Sequence, residues 1–304
     1  MQALRRAFDI TPFLKLSPRV KTLAKNGIAR TMDLTGLSWA AHRWQVARHS
    51  PFIRVINMHD VPPSRAADFD RQLVFYKKRF VPVGYDDLLA FIDGRWTPSR
   101  PGLLITFDDG LKSHADVAAP LLEKHGFVGW FFVPIGFVDA PRDQQAEYGR
   151  KNLIWWSKAP GDDLGAMTWD DVRRLDQRHV IGCHTWTHIR LSDQLTPEQI
   201  EHEIIASKAR LEQELGHDVS VFCWVGGEEW SYSAAAAQAI RRAGYRLSFM
   251  NARAVVRPGT NPLQLHRICI EPSDPPYFVR YLLSGLLDAL YAAQRRRINA
   301  LTAT

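Results

Sequence analysis

The stretch Leu103-Leu104-Ile105-Thr106-Phe107-Asp108-Asp109-Gly110 decides the fold. Its first five residues are apolar or β-branched with no polar alternation, as in a strand buried on both faces. Such strands belong to parallel sheets covered by helices. Two carboxylates and a glycine follow at once. Parallel α/β folds build their sites at the C-terminal tips of strands, so Asp108 and Asp109 stand where chemistry is expected. Adjacent carboxylates both stay ionised when a cation shares them. Asp-Asp-Gly is also ordinary turn chemistry, and the strand alone does not separate the two readings.

On either side of this stretch, short apolar runs alternate with helical patterns. Strands are expected at 53–58, 103–107, 128–133, 180–183, 219–224, 247–250 and 265–270, and helices at about 66–79, 86–93, 113–125, 169–177, 197–215 and 233–243. The 197–215 helix has a capping box (Thr196, Gln199), Pro197 at its first position and Gly216 as its stop. This alternation implies a parallel sheet, either a barrel or a doubly wound sheet. Residues 139–168, with Tyr148, Trp155 and Trp156, read as a long lid-like loop. Residues 277–291 read as one helix, apolar except for the stripe Arg280, Ser284, Asp288, followed by Arg295-Arg296-Arg297.

A second strand tip carries His184-Thr185-Trp186-Thr187-His188 directly after 180–183. Histidines at i and i+4 suit a two-histidine metal grip, although a lone pair is more often structural. Here they share a rim with Asp108 and Asp109. Two imidazoles and one carboxylate make a three-ligand site with an open position, leaving the other carboxylate to act as a base. A third tip, Asn57-Met58-His59-Asp60, brings a histidine whose near-neutral pKa suits protonating a leaving amine. A capped turn after the first strand is the plainer reading of that segment.

With these residues in hand, the sequence resembles the polysaccharide deacetylases of the NodB-homology, carbohydrate esterase type. Thr106–Gly110 is similar to the family's TFDDG motif and His184–His188 to its H-[ST]-x-x-H motif, and the resemblance runs from about residue 55 to 270. It implies a distorted (β/α)7 barrel, a TIM-like α/β fold. It implies Asp108 as general base and Asp109, His184 and His188 as ligands of a divalent metal, usually zinc. The implied substrates are N-acetylated saccharides, polymeric or lipid-linked. His59 at the first strand resembles the arrangement of the exopolysaccharide-biosynthesis branch, with Met58 in place of a tyrosine. His266 is the competing acid, but Leu265 precedes it directly and breaks the family's L-x-H spacing.

One departure is larger. The family's R-x-P-x-G motif falls on Cys223-Trp224-Val225-Gly226-Gly227, which lacks the arginine and the proline. That arginine orients the base, so Arg267, at the end of the last core strand, is expected to take over pairing with Asp108. Cys183 is expected to pack rather than bind metal, because neighbours on a strand point to opposite faces. Trp155 and Trp156 either stack on sugar rings or pin the lid. His114 and His125 receive no chemistry.

Composition sets the outer bounds. Among 304 residues, 46% hydrophobic and 23% charged is ordinary globular content. Three cysteines without a CxxC argue against a disulfide framework and suit a reducing compartment. No apolar run suits a signal peptide or a membrane span, so a cytoplasmic location is expected. The net charge of +7 is concentrated at the ends. Residues 1–50 hold nine Lys/Arg against two Asp, and 276–304 hold four Arg against one Asp, whereas 51–275 are mildly acidic. The chain therefore divides into a basic helical extension (1–50), a catalytic domain (51–275) and an apolar helix with a basic tail (276–304). A basic surface confined to the ends argues against nucleic acid and suggests peripheral docking on an anionic membrane face. A solvated surface is the plainer alternative. Two rival functions stand beside the hydrolase: a saccharide-binding protein without turnover, and an amide hydrolase of the same fold acting on a non-sugar substrate.

Overall fold

Strand β3 (Gly102–Phe107) is buried at all six positions and pairs in parallel with β1 (Ile53–Met58) on one side and β4 (Gly129–Val133) on the other. The computed structural model describes residues 18–49 and 51–303; Pro12 and the basic residues before 18 lie outside them. From β4 the parallel order continues through β5 (Val180–Cys183), β6 (Val221–Cys223) and β7 (Leu247–Met250) to β9 (Leu265–His266). At the opposite edge, β10 (Ile268–Cys269) pairs with β1. The short strands β2 (Val81–Pro82) and β8 (Val255–Val256) join β3 and β1 at their N-terminal ends.

Closure lies in one segment. The expected strand 265–270 splits at Arg267: Leu265 and His266 register with Phe249 and Met250, whereas Ile268 and Cys269 register with Ile56 and Asn57. A single run of chain thus joins the last stave to the first, giving seven staves and the distorted (β/α)7 barrel.

Period-two alternation sorts the side chains. Ile53, Val55, Leu104, Trp130, Phe132, Val221, Cys223, Leu247, Phe249 and Leu265 fill the interior. Their neighbours, among them Ile56, Ile105, Phe131, Cys183 and Phe222, pack outward against the helices. Carrying the same alternation on to the C-terminal tips of the staves brings Asp108, His184 and Arg267 to the upper interior and Cys269 to its exposed rim. His266 and Cys183 fall on the outer face. Cys183 is buried there, with its thiol pushed up to about 12, first by desolvation.

Three expectations about helices change. The 113–125 and 197–215 helices each contain a π-helical turn, at His114–Ala118 and His202–Ala206. The 139–168 segment is not all loop, since Gln145–Asn152 is helical and ends on Leu153 in the left-handed region. The 277–291 helix stops at Leu283. Gly285 has φ +80°, and a Cβ there would lie 2.4 Å from Gln45 Nε2, so the chain must turn where it crosses that side chain. The polar stripe then finds partners: Arg280 makes a bidentate pair with Asp33 (2.6 and 2.5 Å), and Asp288 accepts from the buried Arg54 (3.1 and 2.9 Å). The first pair ties the helix Pro18–Leu34 to the C-terminal segment, and Arg54, in β1, also donates to Gln45 of the helix Leu37–His49 at 3.2 Å.

Candidate active site and metal centre

Asp109 leaves β3 with φ +79°, and Thr185 and His188 adopt φ +63° and +60° after β5. These are three of the five non-glycine residues in the left-handed region among the described residues, a strained conformation that gathers at functional sites. The contortion turns three side chains toward one point. Asp109 Oδ1 lies 3.0 Å from His188 Nε2 and 3.8 Å from His184 Nε2.

The histidine tautomers follow from the outer hydrogen bonds. His184 Nδ1 donates to the Cys223 carbonyl at 2.9 Å, and His188 Nδ1 donates to the Asn152 carbonyl at 2.7 Å. Both Nε2 lone pairs are thereby aimed at Asp109, whose Oδ1 is buried without a hydrogen-bond partner. Two imidazole lone pairs and an orphaned buried carboxylate oxygen are the donor set of a divalent cation, and outer carbonyls commonly orient ligating histidines in this way. Desolvation pushes His184 down to about 4, keeping it neutral.

Beside this group, Asp108 is 3% exposed and is gripped by Arg267. Nη1 donates to Oδ1 at 2.6 Å and Nη2 to Oδ2 at 2.9 Å. Arg267 also donates to Thr106 Oγ1 at 2.9 Å and to Asn251 Oδ1 at 3.2 Å. Burial raises the Asp108 carboxyl and the Arg267 charge lowers it; the net direction is down, so it is held as a carboxylate. At the position where the resemblance places an arginine, the Cys223 thiol faces Asp108 Oδ1 at 3.8 Å. The guanidinium arrives instead from the stave that closes the barrel.

His59 stands on the same rim. Its Nδ1 is 2.6 Å from Glu271 Oε1, and its backbone N–H donates to Oε2 at 3.2 Å. Desolvation works against the imidazolium, but hydrogen bonds to Cys269 and Glu271 and the Asp109 and Glu271 charges outweigh it, raising the pKa well above the ordinary value. His266 is elsewhere. It accepts from the Ala252 N–H and contacts Asn299 Oδ1 on the outer face, with its pKa pushed down to about 4, first by burial.

Several residues of the site escaped sequence reasoning. Glu271 is 212 positions from His59, and only the β1–β10 pairing brings them together. His114 Nε2 donates to the His59 carbonyl at 2.6 Å. Glu203 accepts from the Trp186 and Thr187 N–H groups and the Thr187 hydroxyl at 2.9, 2.8 and 2.6 Å, pinning the loop between the two histidines that face Asp109. His114 and Glu203 both sit in π-turns, which commonly mark functional positions. The Thr196/Gln199 capping box marked the start of the second helix but not its π-turn.

The lid is fastened near His59. Ser157 N–H donates to Asp60 Oδ2 at 2.7 Å, and Ser64 Oγ donates to Asp162 Oδ2 at 2.5 Å. Trp156 packs on Phe137 (centroids 5.4 Å apart) and donates to Asp163, so it pins the lid. Trp155 is 64% exposed, as is Trp230 (59%) in the loop after β6.

The fold and sequence are similar to those of known proteins. The family model for polysaccharide deacetylase matches residues 96–248. A putative polysaccharide deacetylase of Bacillus subtilis, YxkH, is 24% identical over 176 residues, which cover 58% of this chain and 53% of YxkH. The chain thus spans about half the length of that curated relative. Among solved structures, the Streptococcus pyogenes deacetylase PplD, determined with acetate, superposes with TM-score 0.59 at 20% identity, over 76% of this chain and 98% of that one. IcaB from Ammonifex degensii gives 0.57 at 21% identity, over 77% and 97%. A de-N-acetylase from Aggregatibacter actinomycetemcomitans gives 0.60 at 14%, over 76% and 99%. At these identities the structural likeness establishes the fold, and with the family model matching half of the sequence, the chain belongs to the polysaccharide deacetylase family.

Proposed function

We propose that the protein is a metal-dependent hydrolase that removes an N-acyl group, foremost acetyl, from an amino sugar in a polysaccharide or lipid-linked saccharide. The observation that carries this reading is the orphaned Asp109 Oδ1 facing two histidine Nε2 atoms, with a second, separately held carboxylate alongside. When bound at Asp109, His184 and His188, a divalent metal, zinc in this reading, supplies Lewis-acid polarisation of the amide carbonyl.

The remaining work falls to side chains of this chain. Asp108, kept ionised by Arg267, takes the proton of the attacking water. His59 carries a proton on the face opposite its Glu271 contact and gives it to the departing amine, while Glu271 stabilises the imidazolium. His114 fixes the His59 backbone. The exposed Trp155 and Trp230 offer flat apolar faces for sugar rings, which favours a saccharide over a non-sugar amide. The Arg267 contact supports turnover over a binding-only role, because the base is held despite the altered third motif. Acetate release by metal-stripped and zinc-reconstituted protein tests the reading.

The lipid-linked substrate rests on a separate observation. Among the described residues, Leu34, Leu37, Trp39 and Trp44 of the N-terminal helices are each more than half exposed, with Arg30, Arg43 and Arg48 nearby and also exposed. Apolar side chains interleaved with arginines suit an anionic membrane surface. No described helix is long and apolar enough to cross a membrane. The Arg295–Arg297 run contributes less, because Arg295 donates to the backbone carbonyls of Ala252 and Arg253 and Arg297 pairs with Glu229. Flotation with anionic vesicles, weakened in a Leu37→Ser, Trp39→Ser variant, is the expected result; equal binding by that variant would overturn the docking.

A further inference from the structure

The carboxylate that supports His59 also holds a group the reaction above does not use. Asn57 registers with Cys269 across β1 and β10, so continuing by two residues sets His59 opposite Glu271. Cys269 and Glu271, two apart, share a face. Glu271 Oε1 lies 2.6 Å from His59 Nδ1 and 3.2 Å from Cys269 Sγ, and the three candidate ligand atoms all lie within 4.8 Å of one another. Imidazole, thiolate and carboxylate are zinc's donor types, and around a tetrahedral ion they stand about 3.3–3.8 Å apart. A small rotation of the Glu271 carboxylate opens that spacing. Cys269 is exposed, and the side chains of His59 and Glu271 are 42% and 31% exposed, so an ion reaches them from solvent. By contrast, Asp109 and His184 are buried.

We propose that His59, Cys269 and Glu271 form a second zinc site, weaker than that at Asp109, His184 and His188, whose occupation inhibits the enzyme. It is weaker because binding breaks the His59–Glu271 contact and releases two protons to solvent, one from His59 Nδ1 and one from the Cys269 thiol. Zn–N, Zn–S and Zn–O bonds form, and nothing is oxidised or reduced. Inhibition follows because Nδ1 and Glu271 are then committed to the ion, and the imidazolium that serves as acid no longer forms. The inhibitory half rests on His59 as the acid of the proposed reaction; the binding half stands on the three side chains alone.

Cobalt(II) separates the two halves. In the full-length His188→Ala variant, which lacks the first site, one cobalt per chain is expected with thiolate-to-cobalt absorption in the near ultraviolet. Adding Cys269→Ser removes that absorption. In the unmodified enzyme, turnover is expected to rise to one zinc per chain and fall several-fold beyond it, and Cys269→Ser shifts the fall to at least tenfold higher zinc. Absence of the band, or a band surviving Cys269→Ser and so belonging to Cys223, overturns the site while leaving the deacetylase reading intact. A Cys269-dependent band with no loss of turnover in excess zinc overturns inhibition, and with it the assignment of His59 as acid.

Discussion

Arg267 and Asp108 form a bidentate ion pair, at 2.6 and 2.9 Å, inside the barrel and shielded from solvent. Two parallel N–H···O bonds fix the orientation of the carboxylate as well as its charge. Because Arg267 lies where the closing strand changes partners between β7 and β1, barrel closure and the orienting of the Asp108 carboxylate are one event.

Replacing Arg267 with Met leaves a buried carboxylate unpaired. Turnover is expected to fall about 100-fold from misplacement of the base, and stability by about 3–5 kcal/mol. Metal content is expected to be unchanged. Arg267→Lys, with one charge but no fork, is expected to recover stability more than turnover. Steady-state kinetics, metal content and denaturant melts read all three; unchanged turnover in Arg267→Met would remove the residue from the account.

Glu203 fastens the loop between His184 and His188 through three hydrogen bonds. Glu203→Ala is expected to weaken metal binding about 10- to 100-fold, as the loss of groups that orient ligands generally does. Competition with a metal chelator measures it, and an unaltered affinity would show that the loop holds its shape without the carboxylate.

Glu271 helps raise the His59 pKa, so the protonated acid persists to higher pH with it than without it. Protonated His59 is lost as pH rises through its pKa. In Glu271→Gln that pKa falls, and the alkaline limb of the kcat profile is expected to move toward acid, with turnover reduced about tenfold or more. An alkaline limb that stays in place would exclude the pair from proton transfer.

The sequence carried what neighbours along the chain can show. Asp108 and His184 were readable because each follows a short apolar strand directly, Asp109 and His188 from their spacing to those two, and alternation set Cys183 apart from its neighbour. Arg267 was readable only once the altered third motif left Asp108 in need of a cation. Glu271, His114 and Glu203 were not, because a parallel register and two π-turns decide their positions, and neither leaves a local pattern. The 277–291 helix was overextended for a related reason. Its apolar periodicity continues through Ser284-Gly285, and only the packing of Gln45 against Gly285 breaks it.

His266, the competing candidate for the acid, has a structural consequence. Its pKa is pushed down to about 4, chiefly by burial, so the folded protein resists protonating it while the unfolded chain takes a proton near pH 6.5. The stabilisation is therefore fully present above about pH 6.5 and is lost as pH falls toward 4, amounting to about 2 kcal/mol by pH 5. Comparing melts of wild type and His266→Gln from pH 7 to 5 should show a shallower acid loss in the variant; equal slopes would contradict the assignment.

The most direct test is acetate release from N-acetylglucosamine oligomers by three preparations: zinc-reconstituted protein, metal-stripped protein, and Asp108→Asn carrying its metal. Release by the first, and a fall of about 1,000-fold or more in the other two, is the predicted result. Undiminished release after stripping, or by Asp108→Asn, would contradict the account.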